Sequence, residues 1–331
     1  MIAVLGSGVW GLTIARVLVK NNQKVSIWSH SESEINIIKE TGQLKNISVK
    51  DVVDDFIFDL DLKNIVTNAD IIIFAMASPY VREIANKIKT YINNNTIIVI
   101  LTKGIEKETL FTMSQIVEDE LKTESNKNIS IVSLSGPTIA YEVAKDMPTT
   151  ILSACKDLDI AKKIQDIFMN ENFRVYTNQD IDCVELCAAL KNIYALTCGI
   201  AVGLGFGDNT KAAIITRGLT EMIRLGTAMG YDVKTFYGLA GLGDLCVTCM
   251  SDNSRNNTCG KLIGKGLSVD DAIKEVGMVV EGINCLPAAY KLKQKYNIEM
   301  PICEGMYEVI YNNKIPLEIL NKLMLREKKE E

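Results

Sequence analysis

Histidine is almost absent from this chain: 331 residues contain one, His30. Histidine-based metal sites are therefore not expected, and acid–base work elsewhere falls to lysine, tyrosine or carboxyl groups. Positive charge is not in surplus. Lys and Arg number 36 against 41 Asp and Glu, a net charge of -5, which argues against a nucleic-acid partner. No uninterrupted apolar run reaches the ~18 residues of a membrane span, and the N-terminus lacks the basic stretch of a secretory signal. Cysteine, by contrast, is plentiful at nine residues. With no export signal these are expected to be reduced thiols of a cytoplasmic protein, used as small buried apolar residues. Cys183/Cys187 and Cys246/Cys249 have unequal spacings and no histidine partners, so no metal is expected.

What the chain does have stands at its start. Ile2-Ala3-Val4-Leu5 reads as a buried strand that enters Gly6-Ser7-Gly8-Val9-Trp10-Gly11, followed by a helical run to Lys20. A GxGxxG string means little alone; between a strand and a helix it is the dinucleotide-binding fingerprint in context. Gly6 permits the turn, Gly8 leaves room for a pyrophosphate, and Gly11 lets helix and strand approach closely. The helix start then offers N–H groups to the phosphates. An ordinary glycine-rich strand-turn-helix is the plainer alternative.

Alternation of strand and helix continues through the first half. Further strands are predicted at 24–28, 69–75, 96–101, 129–134, 149–154 and 174–176. Ser78-Pro79 reads as an N-cap and first helical residue. From Ile181 the period becomes helical, with runs at 184–202, 210–229, 255–263 and 282–296. The expected class is α/β: a Rossmann-type, doubly wound parallel sheet, the dinucleotide-binding domain, over residues 1–180. A mostly helical substrate-binding domain follows over 181–331.

Ligands of an open parallel sheet gather beyond the carboxyl ends of its strands. The second strand ends Trp28-Ser29-His30, without the acid that binds a ribose 2′-hydroxyl; Glu32 and Glu34 come slightly later. The missing acid removes repulsion toward a 2′-phosphate, and Ser29, His30 and Ser31 can donate to one. No arginine is present, so the inclination to NADP(H) over NAD(H) is slight. Lys103 follows another strand and equally suits a solvated strand end. The Ser135-Gly136-Pro137-Thr138 loop suits an anion or a nicotinamide, or is a plain turn. Tyr141 and Lys145 have the spacing of short-chain dehydrogenases, but the glycine motif differs and chance explains it.

In the helical half, Lys191 and Asn192 interrupt an apolar helix. A lysine there must pair or lose its charge, unless it snorkels to the surface. Gly238 to Asp244 is a glycine-punctuated turn ending in an acid, which caps the next helix or pairs with a cation. Thr248 lies one turn beyond. Ser254-Arg255-Asn256 opens a helix, either as a surface cap or as a phosphate site.

These strings resemble the bacterial-type NAD(P)-dependent glycerol-3-phosphate dehydrogenases over nearly the whole chain, in order. The resemblance is carried by Gly6–Gly11, Thr102-Lys103-Gly104-Ile105-Glu106, Ser135–Ala140, Glu185–Asn192, Gly207–Ala213, Thr216-Arg217-Gly218, Gly238–Asp244, Ser254-Arg255-Asn256, Val280-Glu281-Gly282 and Met300-Pro301-Ile302. Departures are mild: Ser7 and Val9 inside the glycine motif, and Cys246 in place of an aliphatic residue. The resemblance implies reversible reduction of dihydroxyacetone phosphate to sn-glycerol 3-phosphate, the precursor of glycerophospholipids. It implies Lys191 as proton donor, with Lys103 and Asp244 as catalytic neighbours. Gly136, Thr138, Asn192 and Thr248 would line the substrate, and Ser254, Arg255 and Asn256 would hold its phosphate. Gly6, Gly8, Val9, Trp10, Gly11, His30, Lys103, Ala140, Val279 and Glu281 would line the cofactor, with Arg255 bridging both ligands. A homodimer through the helical half is compatible with the sequence. Two other readings are a related reductase of a small hydroxy acid and a non-catalytic dinucleotide sensor.

Overall fold

The structure is a computed structural model and describes residues 1–121, 128–328 and 330. The chain divides into two compact units, Met1–Lys103 with Phe111–Glu185, and Gly104–Leu110 with Leu186–Glu331.

The first unit runs β1 (Ile2–Leu5), α1 (Val9–Lys20), β2 (Val25–Trp28) and α2 (Glu32–Thr41). A short antiparallel hairpin of β3 (Gln43–Leu44) and β4 (Ile47–Ser48) follows. Then come β5 (Phe56–Asp59), α3 (Leu62–Val66), β6 (Ile71–Phe74), α4 (Val81–Ile88), β7 (Ile97–Ile100), α5 (Met113–Leu121) and β8 (Ser130–Ser135). The unit ends with α6 (Ala140–Ala144), β9 (Thr149–Ala154), α7 (Leu158–Phe168) and β10 (Phe173–Asn178). Among the described residues, eight strands form one sheet in the order β10-β9-β8-β7-β6-β1-β2-β5. Leu5, Trp28, Phe74 and Ile100 stand level across neighbouring strands, so the segments after them leave from one edge.

Strand residues alternate between two cores, as the period of two requires. Ile2, Val4, Val25, Ile27, Ile71 and Ile73 face α1, α6 and α7. Ala3, Leu5, Ile72, Phe74, Ile98 and Ile100 face α3, α4 and α5. Burial on both faces is why these strands read as continuous apolar runs.

Three details differ from the sequence reading. Phe56–Asp59 is an edge strand beside β2, hidden in the sequence because two acids precede it and only Phe56 is fully buried. β9 runs antiparallel to β8: the link between them is barely long enough for a parallel crossover, and its helix α6 packs on α1. Ser78 does not cap a helix; it opens a 3-10 turn, Ser78–Tyr80, ahead of α4.

The second unit takes over within α8 (Ile181–Gly203). It continues with α9 (Asp208–Ala228), α10 (Val233–Phe236), α11 (Asp244–Met250), α12 (Arg255–Gly264), α13 (Val269–Val276), α14 (Glu281–Lys295), α15 (Pro301–Tyr311) and α16 (Pro316–Met324). No β-strand is found among the described residues after 186. At 23 residues, α8 is long and apolar enough to cross a membrane by length and composition. Of its most apolar window 83% is buried inside the protein, the pattern of a core helix.

Two devices organise this unit. Gly199 and Gly203 of α8 lie against Gly260 and Gly264 of α12. A Cβ at Gly199 would stand 2.1 Å from the Asn257 carbonyl oxygen, and one at Gly260 would stand 2.2 Å from that of Leu196. The backbones therefore touch, which only glycine allows. Elsewhere Glu221 of α9 is buried and accepts hydrogen bonds from the backbone N–H groups of Ile302 (2.6 Å) and Cys303 (3.2 Å) and from the Tyr194 hydroxyl (3.2 Å). It thus satisfies the otherwise unpaired start of α15, while burial pushes its pKa up to about 7. None of the nine cysteines is bridged, and eight are buried; Cys246 is half-buried.

Candidate active site

In the first unit the candidate residues share the carboxyl edge of the sheet. Gly6 has φ +121°, and a Cβ on it would meet the Ala75 carbonyl oxygen at 2.9 Å. A Cβ on Gly11 would fall 2.0 Å from the Gly6 carbonyl oxygen. Gly8, in contrast, is exposed, and a Cβ there would meet nothing within 4 Å. The three positions thus separate into a turn, an open approach and a tight packing contact. Gly8 is also the N-cap of α1, and no side chain caps that helix. Val9 and Trp10, half-buried, pack on the sheet behind it.

After β2, Ser29 is buried and His30 is exposed. After β7, Lys103 is half-buried. After β8, Gly136 has φ +156° and the Thr138 hydroxyl donates to the Gly136 carbonyl at 3.2 Å. Ala140 begins α6, a helix of five residues. Among the described residues, the Ser135 hydroxyl is buried without a hydrogen-bond partner. An open glycine, an uncapped helix start and an orphaned hydroxyl on one sheet edge fit a dinucleotide. Tyr141 and Lys145 have a different use: the ammonium sits 4.1 Å from the ring centroid, a cation–π contact.

Glu34 lies five residues beyond Ser29, late for an acid expected at the end of β2. The Ser31-Glu32-Ser33-Glu34 spacing is that of a capping box, and half of it forms. Ser31 Oγ accepts from the Glu34 N–H at 3.2 Å. The reciprocal bond does not form, because the Ser31 N–H donates to Ser29 Oγ at 3.2 Å. The Glu34 carboxylate instead accepts from the Ser7 hydroxyl, inside the glycine motif. Ser7 Oγ also lies 2.6 Å from Ser29 Oγ. Among the described residues, no lysine or arginine forms an ion pair with Glu34.

In the second unit the structure gathers three groups. Lys191 is 5% exposed, so it does not snorkel; its Nζ donates to Asp244 and, at 2.8 Å, to Thr248 Oγ1. The Thr248 hydroxyl in turn donates a hydrogen bond to the Asp244 backbone carbonyl at 2.6 Å. Asp244 is fully buried. It does not cap α11, whose N-cap is Gly243. The preceding Leu239–Gly243 is one π-helical turn. It can form because Gly241 lies on the Phe236 backbone, 2.0 Å from where a Cβ would be. The turn delivers Asp244 inward.

The second group is a chain of amides. Asn192 donates to the Ala188 carbonyl and accepts from Asn256 Nδ2 at 2.9 Å. Asn256 Oδ1 accepts from the Gly282 N–H at 2.8 Å. In the third, Ser254 caps α12 through the Asn257 N–H. Arg255, exposed, donates to the Val279 carbonyl at 3.3 Å. Desolvation lowers the Arg255 pKa and the charge of Glu281 opposes that; an arginine stays cationic regardless. No cluster of three or more potential metal ligands occurs among the described residues.

A family model described as NAD-dependent glycerol-3-phosphate dehydrogenase N-terminus matches residues 1–161, and its C-terminus counterpart matches residues 180–321. A glycerol-3-phosphate dehydrogenase (NAD(P)+) of Lactobacillus delbrueckii subsp. bulgaricus is 49% identical, covering 100% of this chain and 98% of that one. One from Thermoanaerobacter is 46% identical, over 100% and 98%. The crystal structure of glycerol-3-phosphate dehydrogenase from Coxiella burnetii superposes with TM-score 0.91 at 33% identity, covering 98% of each chain.

Proposed function

Because the chain belongs to the NAD-dependent glycerol-3-phosphate dehydrogenase family, we propose that it interconverts dihydroxyacetone phosphate and sn-glycerol 3-phosphate, using NAD(H) or NADP(H). The observation that carries the reading is the buried Lys191 ammonium fixed by Asp244 and Thr248. When bound, the nicotinamide supplies or takes up the hydride. Hydride addition to a ketone builds negative charge on its oxygen. A directed ammonium stabilises that charge and gives the oxygen its proton, and in the oxidative direction the amine takes the proton back. Asp244 pairs with the Lys191 ammonium and fixes its direction. Lys103, at the carboxyl edge of the sheet, would touch the cofactor.

Arg255 is our candidate for the substrate phosphate, joined by Ser254 at the start of α12. Asn256 has one Nδ2–H left for the same phosphate, and its other bonds hold it in register with Asn192 and Gly282. Gly136 and Thr138 would complete the substrate contacts. Gly6, Gly8, Val9, Trp10, Gly11, His30 and Ala140 would line the cofactor, with Val279 and Glu281 beside Arg255. Binding energy from the phosphate, remote from the reacting carbon, orients the ketone. The nine unbridged thiols suit a cytoplasm, and we also propose a homodimer, which sedimentation would test. Family membership disfavours a hydroxy-acid reductase or a silent sensor.

Purified protein should oxidise NADH or NADPH when given dihydroxyacetone phosphate; no turnover with either cofactor would sink the assignment. Lys191→Met, with a native circular-dichroism spectrum, should lose ~10²–10⁴ in turnover, and an undiminished rate would remove Lys191 from its role.

A further inference from the structure

We propose that Glu34 makes this enzyme select NAD(H) against NADP(H), which rests on the dinucleotide reading above. The Ser31 N–H, which the Glu34 carboxylate would ordinarily satisfy, is taken by Ser29 Oγ. The carboxylate is therefore available elsewhere, and it binds the Ser7 hydroxyl between Gly6 and Gly8. Ser29, at the end of β2, holds the same hydroxyl from the other side. Glu34 thus joins the glycine loop to the end of β2. In a Rossmann-type unit that interval receives the adenosine ribose, and an acid there accepts from its 2′-hydroxyl.

Charge decides the selectivity. No lysine or arginine occurs between Lys24 and Lys39, while that interval holds Glu32 and Glu34. A 2′-phosphate carries a further negative charge into a place where a carboxylate is fixed, and the one basic side chain in that interval of sequence is His30. Like charges at such separations in a partly buried site repel strongly. This reverses the slight inclination to NADP(H) drawn from the missing acid at Trp28-Ser29-His30. The acid is present, but it comes from the following helix instead of the strand end.

The test is equilibrium binding, read by fluorescence titration with NADH and NADPH in the absence of substrate. The wild-type protein should bind NADH about tenfold or more tighter than NADPH. In Glu34→Gln, which keeps the shape and removes the charge, the ratio should fall to within about threefold, mainly through tighter NADPH binding. In the wild type alone, raising ionic strength should narrow the ratio, because screening weakens the repulsion. Equal or tighter NADPH binding by the wild type would overturn the proposal. So would an unchanged ratio in a folded Glu34→Gln protein. If that variant does not fold, a wild-type ratio unresponsive to salt overturns it. Binding of neither nucleotide would instead defeat the dinucleotide reading itself.

Discussion

A carboxyl group sealed inside the helical unit couples the stability of this protein to pH. Glu221 titrates at about 7 in the folded chain, against an ordinary value of 4.5. The folded state therefore binds this proton more tightly than the unfolded state does. Its contribution is fully present below about pH 4.5 and is lost as pH rises through about 7, a change of about 3 kcal/mol. Glu221→Gln should flatten the decline between pH 5 and 7 in urea melts; a variant with the wild-type slope would show that another group titrates there. The residue was invisible to pattern reading because its partners are backbone N–H groups 81 and 82 residues away. Lys191 and Asp244 were more legible. A lysine inside an apolar stretch must find an anion or reach the surface, and an acid closing a glycine-punctuated turn is a candidate partner. What the sequence withheld was the pairing itself, since Asp244 equally suited a helix cap.

At the scale of elements, the contact between α8 and α12 sets where Asn192 meets Asn256. Both helices carry glycines four residues apart, which the sequence displays, but the display does not say which helix is the partner. Gly260→Ala would put a methyl group 2.2 Å from the Leu196 carbonyl oxygen. The helices must separate, at a cost of about 1–3 kcal/mol. Urea denaturation should show that loss, and a variant as stable as the wild type would mean the contact has slack. The strands of the first unit were legible for the opposite reason. Burial on both faces leaves few residue types for them, and the β1–α1 glycines each answer a separate local demand. Edge strand β5 escaped because a half-covered strand carries half the apolar signal. The direction of β9 escaped because orientation is set by the link between strands.

For the molecule as a whole, the strand-rich first part and the mostly helical second part were readable from the change of period along the chain, since the two periods bury different faces. Helix α8 shows the limit of such reading: its length and apolar character suit either a membrane or a core, and only its surroundings decide. The cysteines pack the interior of the protein. With eight sealed and Cys246 half-buried, the protein carries its own record of opening. A thiol reagent should modify one sulfur in the folded protein and nine in denaturant. Several sulfurs reacting at once under native conditions would contradict the burial. Burial also holds Cys259 near 11 and Cys285 near 12, so these stay protonated and slow until water reaches them. The rate at which the remaining thiols become reactive then counts excursions from the native state, without any probe being added to the chain.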